Sequence, residues 1–132
     1  MIYFDPATAF KEYLESGGIT EKIYARQDRP TTGLPDVFIE VDLNGSIRTL
    51  SEGATVKSCI LLVGIYVKLL STDAANSLME DAMLLKFNDM LSRKSAVNGK
   101  YPFQISTEMV SRGRDITAGY SYMLLNINTL IY

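Results

Sequence analysis

No histidine and no tryptophan occur among the 132 residues of the chain, and there is one cysteine. Without histidine, the chain lacks the central residue of Ser-His-Asp and Cys-His catalysis, of zincin-type metal sites and of imidazole pH switches. Cys59 cannot form an intramolecular disulfide. It lies in an apolar stretch, where a small buried side chain is the favoured interpretation over a reactive thiol. Carboxylates are the catalytic candidates that remain in number.

A strong charge imbalance and a long hydrophobic run are also missing. The chain has 13 basic and 15 acidic side chains, a net charge of -2, which gives no net attraction to nucleic acid or to an anionic membrane. The longest apolar run, residues 60–67, is too short for a membrane span and contains Gly64. The amino terminus lacks the pattern of a signal peptide. We therefore expect a soluble protein of a reducing compartment, without a membrane partner.

The remaining composition is that of a folded domain. Hydrophobic residues make up 47% and charged residues 21%, as in ordinary globular proteins. The chain contains no internal repeat, low-complexity tract or linker. We expect one domain that covers residues 1–132.

The first part of the chain predicts a helix, a strand and a loop. Asp5 followed by Pro6 is typical of a helix start, and the glycines at 17–18 predict its end. Alternating apolar residues predict a strand over residues 19–27. The prolines and the glycine of residues 28–35 predict a loop.

A second strand follows, with a hairpin signal at its end. Residues 37–43 alternate with period two, as in a half-buried strand. Asn44 followed by Gly45 predicts a hairpin turn. The expected return strand covers residues 46–50 and leads to a second turn at residues 52–53.

The middle of the chain predicts a long strand and the longer of two helices. Residues 54–70 are rich in β-branched and aliphatic side chains, as in a central strand, with a bulge or bend expected at Gly64. A buried helix is the alternative, which the β-branched residues and Gly64 disfavour. Residues 72–73, Thr-Asp, are the expected cap of a helix over residues 74–91. The expected apolar stripe of that helix consists of Leu78, Ala82, Met83, Leu85, Phe87 and Met90.

The last third predicts a polar loop at residues 92–100, a strand at 103–109, a polar turn at 111–115 and a final strand at 120–131. The fold class is therefore α+β. We expect an antiparallel or mixed sheet of about five strands, with both helices packed mainly on one face.

Acidic residues offer no convincing catalytic site. Glu40 and Asp42 share one strand face, as paired carboxylates can, but a solvent-facing position is the favoured interpretation. Glu80 and Asp81 are expected on the solvated side of the long helix. There is no EF-hand loop, no transition-metal ligand set and no nucleotide-binding glycine motif. We expect no enzyme activity, no metal and no cofactor.

Basic residues cluster in the two late loops. Arg112 and Arg114 form a small basic region with Arg93, Lys94 and Lys100 if these loops meet. A phosphate-binding patch is one interpretation. Solvation, or pairing with acids of another subunit, is favoured.

Aromatic residues occupy the outward side of several predicted strands. They are Tyr24, Phe38, Tyr120 and Tyr122. Aromatic side chains on such a face often meet a partner, and a second layer of core is the competing interpretation. The sequence favours neither.

Several segments together resemble a known family. They are the amino-terminal helix, the strands at residues 21–26 and 37–41, the long strand at 55–67 followed at once by the helix entered through Thr-Asp, and the closing hairpin of residues 101–105 and 119–125. In this order they resemble the tail terminator family of long-tailed bacteriophages and the related minor capsid, or neck, proteins. The resemblance spans nearly the whole chain and is a pattern of elements, without a fixed signature.

The resemblance implies a non-enzymatic assembly protein of the virion, made in the host cytoplasm. Such proteins form a ring, typically a hexamer, that caps the tail tube, ends its polymerisation and joins it to the head connector. The implied partners are further copies of the chain, the tail tube protein and the head-completion protein. DNA passes through the lumen without specific binding, which a slightly acidic chain permits.

Ring closure requires two different contact surfaces on each subunit. Candidate contacts come from a loop, a predicted hairpin tip, a predicted turn and the outward aromatics: Asp28, Arg29, Asn44, Gly45, Arg112, Arg114, Asp115, Tyr120 and Tyr122. A head-completion adaptor or a tail-tube-like subunit is the alternative function. A hydrolase or ligand-binding domain that uses Glu40, Asp42 or Asp115 is a more distant one.

Overall fold

The computed structural model describes residues 5–25, 28–49, 57–71, 74–91, 95–97 and 102–131. It confirms the α+β class, the amino-terminal helix and the longer second helix. The elements in chain order are α1 (Pro6–Ser16), β1 (Lys22–Ala25), β2 (Val37–Thr49), β3 (Lys57–Lys68), α2 (Ser77–Leu91), β4 (Ser95–Val97), β5 (Pro102–Asp115) and β6 (Tyr120–Ile131).

Within the described residues, the strands form one six-stranded sheet in the order β1-β2-β3-β6-β5-β4. β1 is parallel to β2, and every other neighbouring pair is antiparallel, so the sheet is mixed as predicted. The sixth strand is the three-residue β4, which lies within residues 92–100, predicted as a loop. The prediction was wrong there because β4 exists through pairing with β5. The rest of that predicted loop lies outside the described residues.

Both helices pack on the same face of the sheet. Phe10 and Leu14 of α1 join Met83 and Phe87 of α2 in one buried cluster with alternate residues of the central strands. We call this side the helix face. The remaining alternate residues point to the opposite side, the open face, which neither helix covers. The helix-face residues of the central strands are Ile39, Val41, Leu61, Val63, Ile65, Met123, Leu125 and Ile127.

The amino-terminal helix begins as its sequence predicts. The Asp5 carboxylate accepts a hydrogen bond from the Thr8 amide at 3.2 Å, and Pro6 occupies the first turn. The helix ends before Gly17. The Tyr13 hydroxyl donates to the Met90 carbonyl oxygen at 3.1 Å, a buried bond that joins α1 to the end of α2. Of the strand predicted at residues 19–27, β1 forms the central part, and residues 26–27 lie outside the described residues.

The second helix starts later than predicted, at Ser77. The Asn76 carboxamide accepts from the Met79 amide at 3.2 Å and caps it. The predicted cap at residues 72–73 lies outside the described residues. Leu78 and Leu85 are 86% and 65% exposed, so the predicted stripe was wrong for them. The exposed Ala82 also lies off the sheet. The inward face instead follows Glu80, Met83, Phe87 and Met90.

Glu80 was predicted to be solvated, and this was wrong. Its residue is 4% exposed, and its Oε1 accepts from Arg112 Nη2 of β5 at 3.0 Å. Arg112 lies opposite Met123 in the sheet and therefore belongs to the helix face. Arg112 supplies the positive charge that allows the buried Glu80 carboxylate to face the sheet.

The predicted hairpin at Asn44 and Gly45 does not form. β2 continues through both residues and pairs with β3 on either side of them. The register shifts between Asn44, which pairs with Ile60, and Arg48, which pairs with Ser58. A step of four residues in β2 therefore lies opposite a step of two residues in β3. Gly45 has φ +93, a conformation that serves a bulge as well as a turn. The predicted turn at residues 52–53 lies outside the described residues.

The bulge expected at Gly64 is also absent. β3 keeps an unbroken register there, with Gly64 opposite Glu40 on one side and opposite Leu124 on the other. Residues 54–56 of the predicted strand lie outside the described residues. The role of Gly64 instead concerns the packing of side chains on the open face.

The predicted polar turn at residues 111–115 is part of β5. The turn lies at residues 116–119, where the Gly119 amide donates to the Asp115 carbonyl oxygen at 2.9 Å and Gly119 has φ +81. Polar residues continue the strand because they pair with β6 up to Asp115 opposite Tyr120. The final strand was predicted correctly, and its inward residues are buried.

Cys59 is buried, as the sequence predicts. Its Sγ lies 3.0 Å from the Thr129 hydroxyl oxygen, and its residue is 5% exposed. Burial raises the pKa of the thiol, although the contact with Thr129 opposes the shift. A neutral thiol is a poor nucleophile, so the structural interpretation of Cys59 stands.

Candidate partner-binding groove

An aromatic row crosses the open face. Phe38 stacks on Tyr66 with ring centroids 4.7 Å apart and planes 6° apart. Tyr120 and Tyr24 meet Phe38 edge-on at 5.2 and 5.9 Å, and Tyr122 lies 6.4 Å from Tyr66. We call these five residues the aromatic row. Phe38 is 1% exposed, which decides the open question for this residue in favour of a second layer of core.

Two glycines allow the tyrosine rings to lie against the backbone. A Cβ atom at Gly64 would be 2.7 Å from Cε2 of Tyr66, and one at Gly113 would be 2.8 Å from the Tyr122 hydroxyl oxygen. A strand glycine costs stability unless another group uses the space, as a ring does here. Because Gly64 and Gly113 have no side chain, the Tyr66 and Tyr122 rings can lie close to the sheet on the open face.

Replacing Gly64 with alanine is expected to lower the free energy of unfolding by about 1–2 kcal/mol. The new methyl group forces the rigid Tyr66 ring off the backbone and disturbs its stacking on Phe38. Urea unfolding measures the effect. In a Tyr66→Leu background the same glycine substitution should cost less, and an equal cost in both backgrounds would contradict this role of Gly64.

The loop of residues 28–35 lies along the aromatic row. The Tyr120 hydroxyl donates to the Pro35 carbonyl oxygen at 2.7 Å, and this bond fixes the end of the loop. The Arg29 guanidinium carbon lies 5.7 Å from the Phe38 centroid and 5.3 Å from that of Tyr66. Arg29 Nε is 3.5 Å from Glu40 Oε2. The loop thus places a cation over two rings and beside a carboxylate.

A groove of about 560 Å³ remains between this loop and the β5–β6 hairpin. That volume is in the range of ligand and peptide side-chain pockets. Its lining combines the partly exposed tyrosines with one basic and one acidic side chain. The lining residues are Arg29, Pro30, Thr31, Leu34, Phe38, Tyr66, Ser111, Asp115, Ala118, Tyr120, Tyr122 and Leu124.

Glu40 is the carboxyl group on the open face whose pKa is shifted. Burial raises its pKa above 4.5, Arg29 opposes the shift, and the charge and hydrogen bond of Asp42 add to it. Glu40 and Asp42 share a face as predicted, but the Glu40 side chain is only 16% exposed, so a solvent-facing position was wrong for it. Burial and the nearby Glu40 charge also raise the pKa of Tyr66.

In wild-type protein the Glu40 carboxyl is expected to titrate above 4.5 in a carbon-detected NMR titration. Because the folded pKa exceeds the unfolded one, Glu40 contributes stability below pH 4.5 that is lost as pH rises through the folded value. Asp42→Asn should lower the midpoint, and Arg29→Gln should raise it. Opposite shifts in these variants would contradict the assigned causes.

The structure brings four of the predicted contact residues together, since Arg29, Asp115, Tyr120 and Tyr122 all line the groove. The others lie elsewhere. The Asn44 side chain donates to Asn126 Oδ1 at 3.3 Å on the open face, next to Gly45 in the bulge of β2. The Asp28 amide donates to the Ala25 carbonyl oxygen, Arg112 pairs with Glu80, and Arg114 lies opposite Ser121. The proposed partners of the basic region, Arg93, Lys94 and Lys100, lie outside the described residues.

Sequence reasoning missed the part that Tyr66 and Glu40 play here. The sequence pattern predicts Tyr66 as one residue of a buried strand, although a glycine two positions before an aromatic residue on the same strand face is a usable signal. No local pattern relates Arg29 to Glu40, because the ion pair forms only when the loop folds back over β2.

Within the described residues, no group of three or more cysteine, aspartate or glutamate side chains could hold a metal ion. Neither described helix has the length and apolar character that crossing a membrane requires.

Comparison with known proteins identifies the fold but no family. No protein-family model and no curated protein matches the chain. Seventeen chains of solved structures are similar to it. One, a protein without a functional name, superposes with a TM-score of 0.59 at 11% identity, over 95% of this chain and 92% of that one. At this identity the similarity concerns the fold alone.

Proposed function

We propose that the chain is a structural subunit of a long-tailed bacteriophage, a tail terminator that forms a ring of about six copies. The ring caps the tail tube, ends its polymerisation and joins it to the head connector. It acts in the virion after assembly in the host cytoplasm, and DNA passes through its lumen. The proposal contains no catalytic step and no cofactor.

The observation that carries this proposal is the difference between the two edges of the sheet. β1 forms one edge and β4 the other, and the strand pairing makes them run in the same direction. A copy that places β1 beside β4 of its neighbour makes a head-to-tail contact, with two different surfaces meeting. Repeated contacts of this kind close into a ring when the rotation allows it. The element order that resembles tail terminators supports the same function.

Tail-tube growth in solution tests the proposal. Purified tail tube protein is polymerised with and without the chain, and tube lengths are measured by negative-stain electron microscopy. Tubes that stop growing and carry a ring at one end are the expected result. Unrestrained tubes without the chain at their ends would contradict it. Binding to portal complexes in place of tails would identify the head-completion adaptor.

A further inference from the structure

We infer that the groove is a docking site for a basic, extended segment of a partner protein, which places an arginine or lysine side chain over Tyr122 and beside Asp115. This inference goes beyond the proposed ring, since it requires only that some partner carries such a segment. It can therefore fail or hold independently of tail termination.

Basic side chains of the chain itself already contact aromatic rings on the open face. Arg29 lies over Phe38 and Tyr66 and pairs with Glu40. Lys22 Nζ lies 5.5 Å from the centroid of Tyr24. Three rings of the aromatic row are thus covered by cations of the chain itself.

At the other end of the groove, tyrosine rings and a carboxylate again lie together, and no cation of the described residues lies over the Tyr120 or Tyr122 ring. Tyr120 and Tyr122 are partly exposed and line the groove, and Asp115 lies directly opposite Tyr120 across the β5–β6 pair. No ion pair joins Asp115 to a basic residue in the part of the chain that the structure describes. Aromatic faces beside an unmatched carboxylate attract a guanidinium or an ammonium group.

The other charges near the groove cancel in pairs. Glu40 forms an ion pair with Arg29. Asp36 forms an ion pair with Lys68, with Oδ1 3.8 Å from Nζ, and both of these side chains are exposed. With these cations matched, Asp115 leaves the lining acidic, so the groove is complementary to a basic group and repels a phosphate or an acidic peptide. The volume of about 560 Å³ accommodates one long side chain with its flanking backbone.

Calorimetry and NMR of the tyrosine rings test this inference. The probe is an acetylated and amidated glycine-serine nonapeptide with two arginines, titrated into the full chain at low salt. The control peptide carries citrulline, which has the same shape without the charge. We expect the arginine peptide to bind about fivefold or more tightly than the citrulline peptide and to perturb the Tyr122 ring.

Variants of the groove sharpen the test. Asp115→Asn removes the charge but keeps the oxygen that accepts from the Ala118 amide at 3.1 Å, so the turn should persist. We expect it to weaken arginine-peptide binding about fivefold. Tyr122→Leu should weaken binding similarly, while Tyr122→Phe, which keeps the ring, should not. Asp81→Asn, on the exposed side of α2, is the matched control and should change nothing.

Equal affinity for the arginine and citrulline peptides, or unchanged binding by Asp115→Asn, would overturn the inference. So would self-association that Asp115→Asn abolishes without any peptide binding, because the occupant would then be a second copy of the chain. Ring formation by Asp115→Asn, followed in parallel by light scattering, separates the failure of this site from the failure of the proposed function.

Discussion

Replacing Arg112 with methionine is expected to lower the free energy of unfolding by about 2–3 kcal/mol. Arg112 is the cation that faces Glu80, with Nη2 3.0 Å from Oε1, and the Glu80 side chain is only 6% exposed. Without the guanidinium, the fold holds a carboxylate that is neither hydrated nor paired. The expected loss is below the roughly 3–5 kcal/mol for a fully buried pair because the Arg112 side chain is 47% exposed. Urea unfolding of the variant and the wild type measures it.

The double variant Glu80→Leu with Arg112→Met is the control. It removes both charges, so most of the lost stability should return. Lys68→Met breaks the exposed ion pair with Asp36 and should cost less than Arg112→Met. If Arg112→Met were as stable as the wild type, the account of why Glu80 faces the sheet would be contradicted.

Replacing Phe38 with alanine is expected to cost about 3–4 kcal/mol, the largest effect of any single change on the open face. Phe38 is 1% exposed although it lies on the face that neither described helix covers, because Tyr66 stacks on it and Tyr24 and Tyr120 meet it edge-on. Its removal leaves a cavity under three tyrosine rings. Denaturant unfolding gives the stability.

Phe38→Leu is the matched variant, since it keeps most of the buried volume and removes the aromatic ring. Its cost should be clearly smaller than that of Phe38→Ala. The Arg29 guanidinium also loses one of its two rings in both variants. A loss below about 1 kcal/mol for Phe38→Ala would show that the aromatic row does not act as a second core.

Local signals predicted the parts of the fold that depend on neighbours in sequence. Asp5 and Pro6 define the start of α1 because the cap and the proline act within one turn. The alternation of residues 120–131 predicted β6 with its bounds, because period two describes a strand with one buried face.

Predictions failed where partners distant in sequence decide the structure. Asn44 and Gly45 favour a turn locally, but β3 offers backbone partners on both sides of them, so the strand continues through a bulge. The polar residues 111–115 look like a turn until their pairing with β6 is known. Glu80 is buried because of Arg112, 32 positions away.

The groove was predictable in part. Outward aromatics and the loop residue Arg29 were identified from the pattern, and Asp115, Tyr120 and Tyr122 indeed lie together with Arg29. The packing of Tyr66 and the pairing of Arg29 with Glu40 depend on sheet register and on loop closure, which no single-sequence pattern specifies.

The proposed function is tested most directly by cryo-electron microscopy of complete virions from the source that encodes this chain. We expect a closed ring of the chain, six copies in the simplest case, between the last disc of the tail tube and the head connector. Particles in which that position is filled by another protein, with the chain absent from the virion, would contradict it.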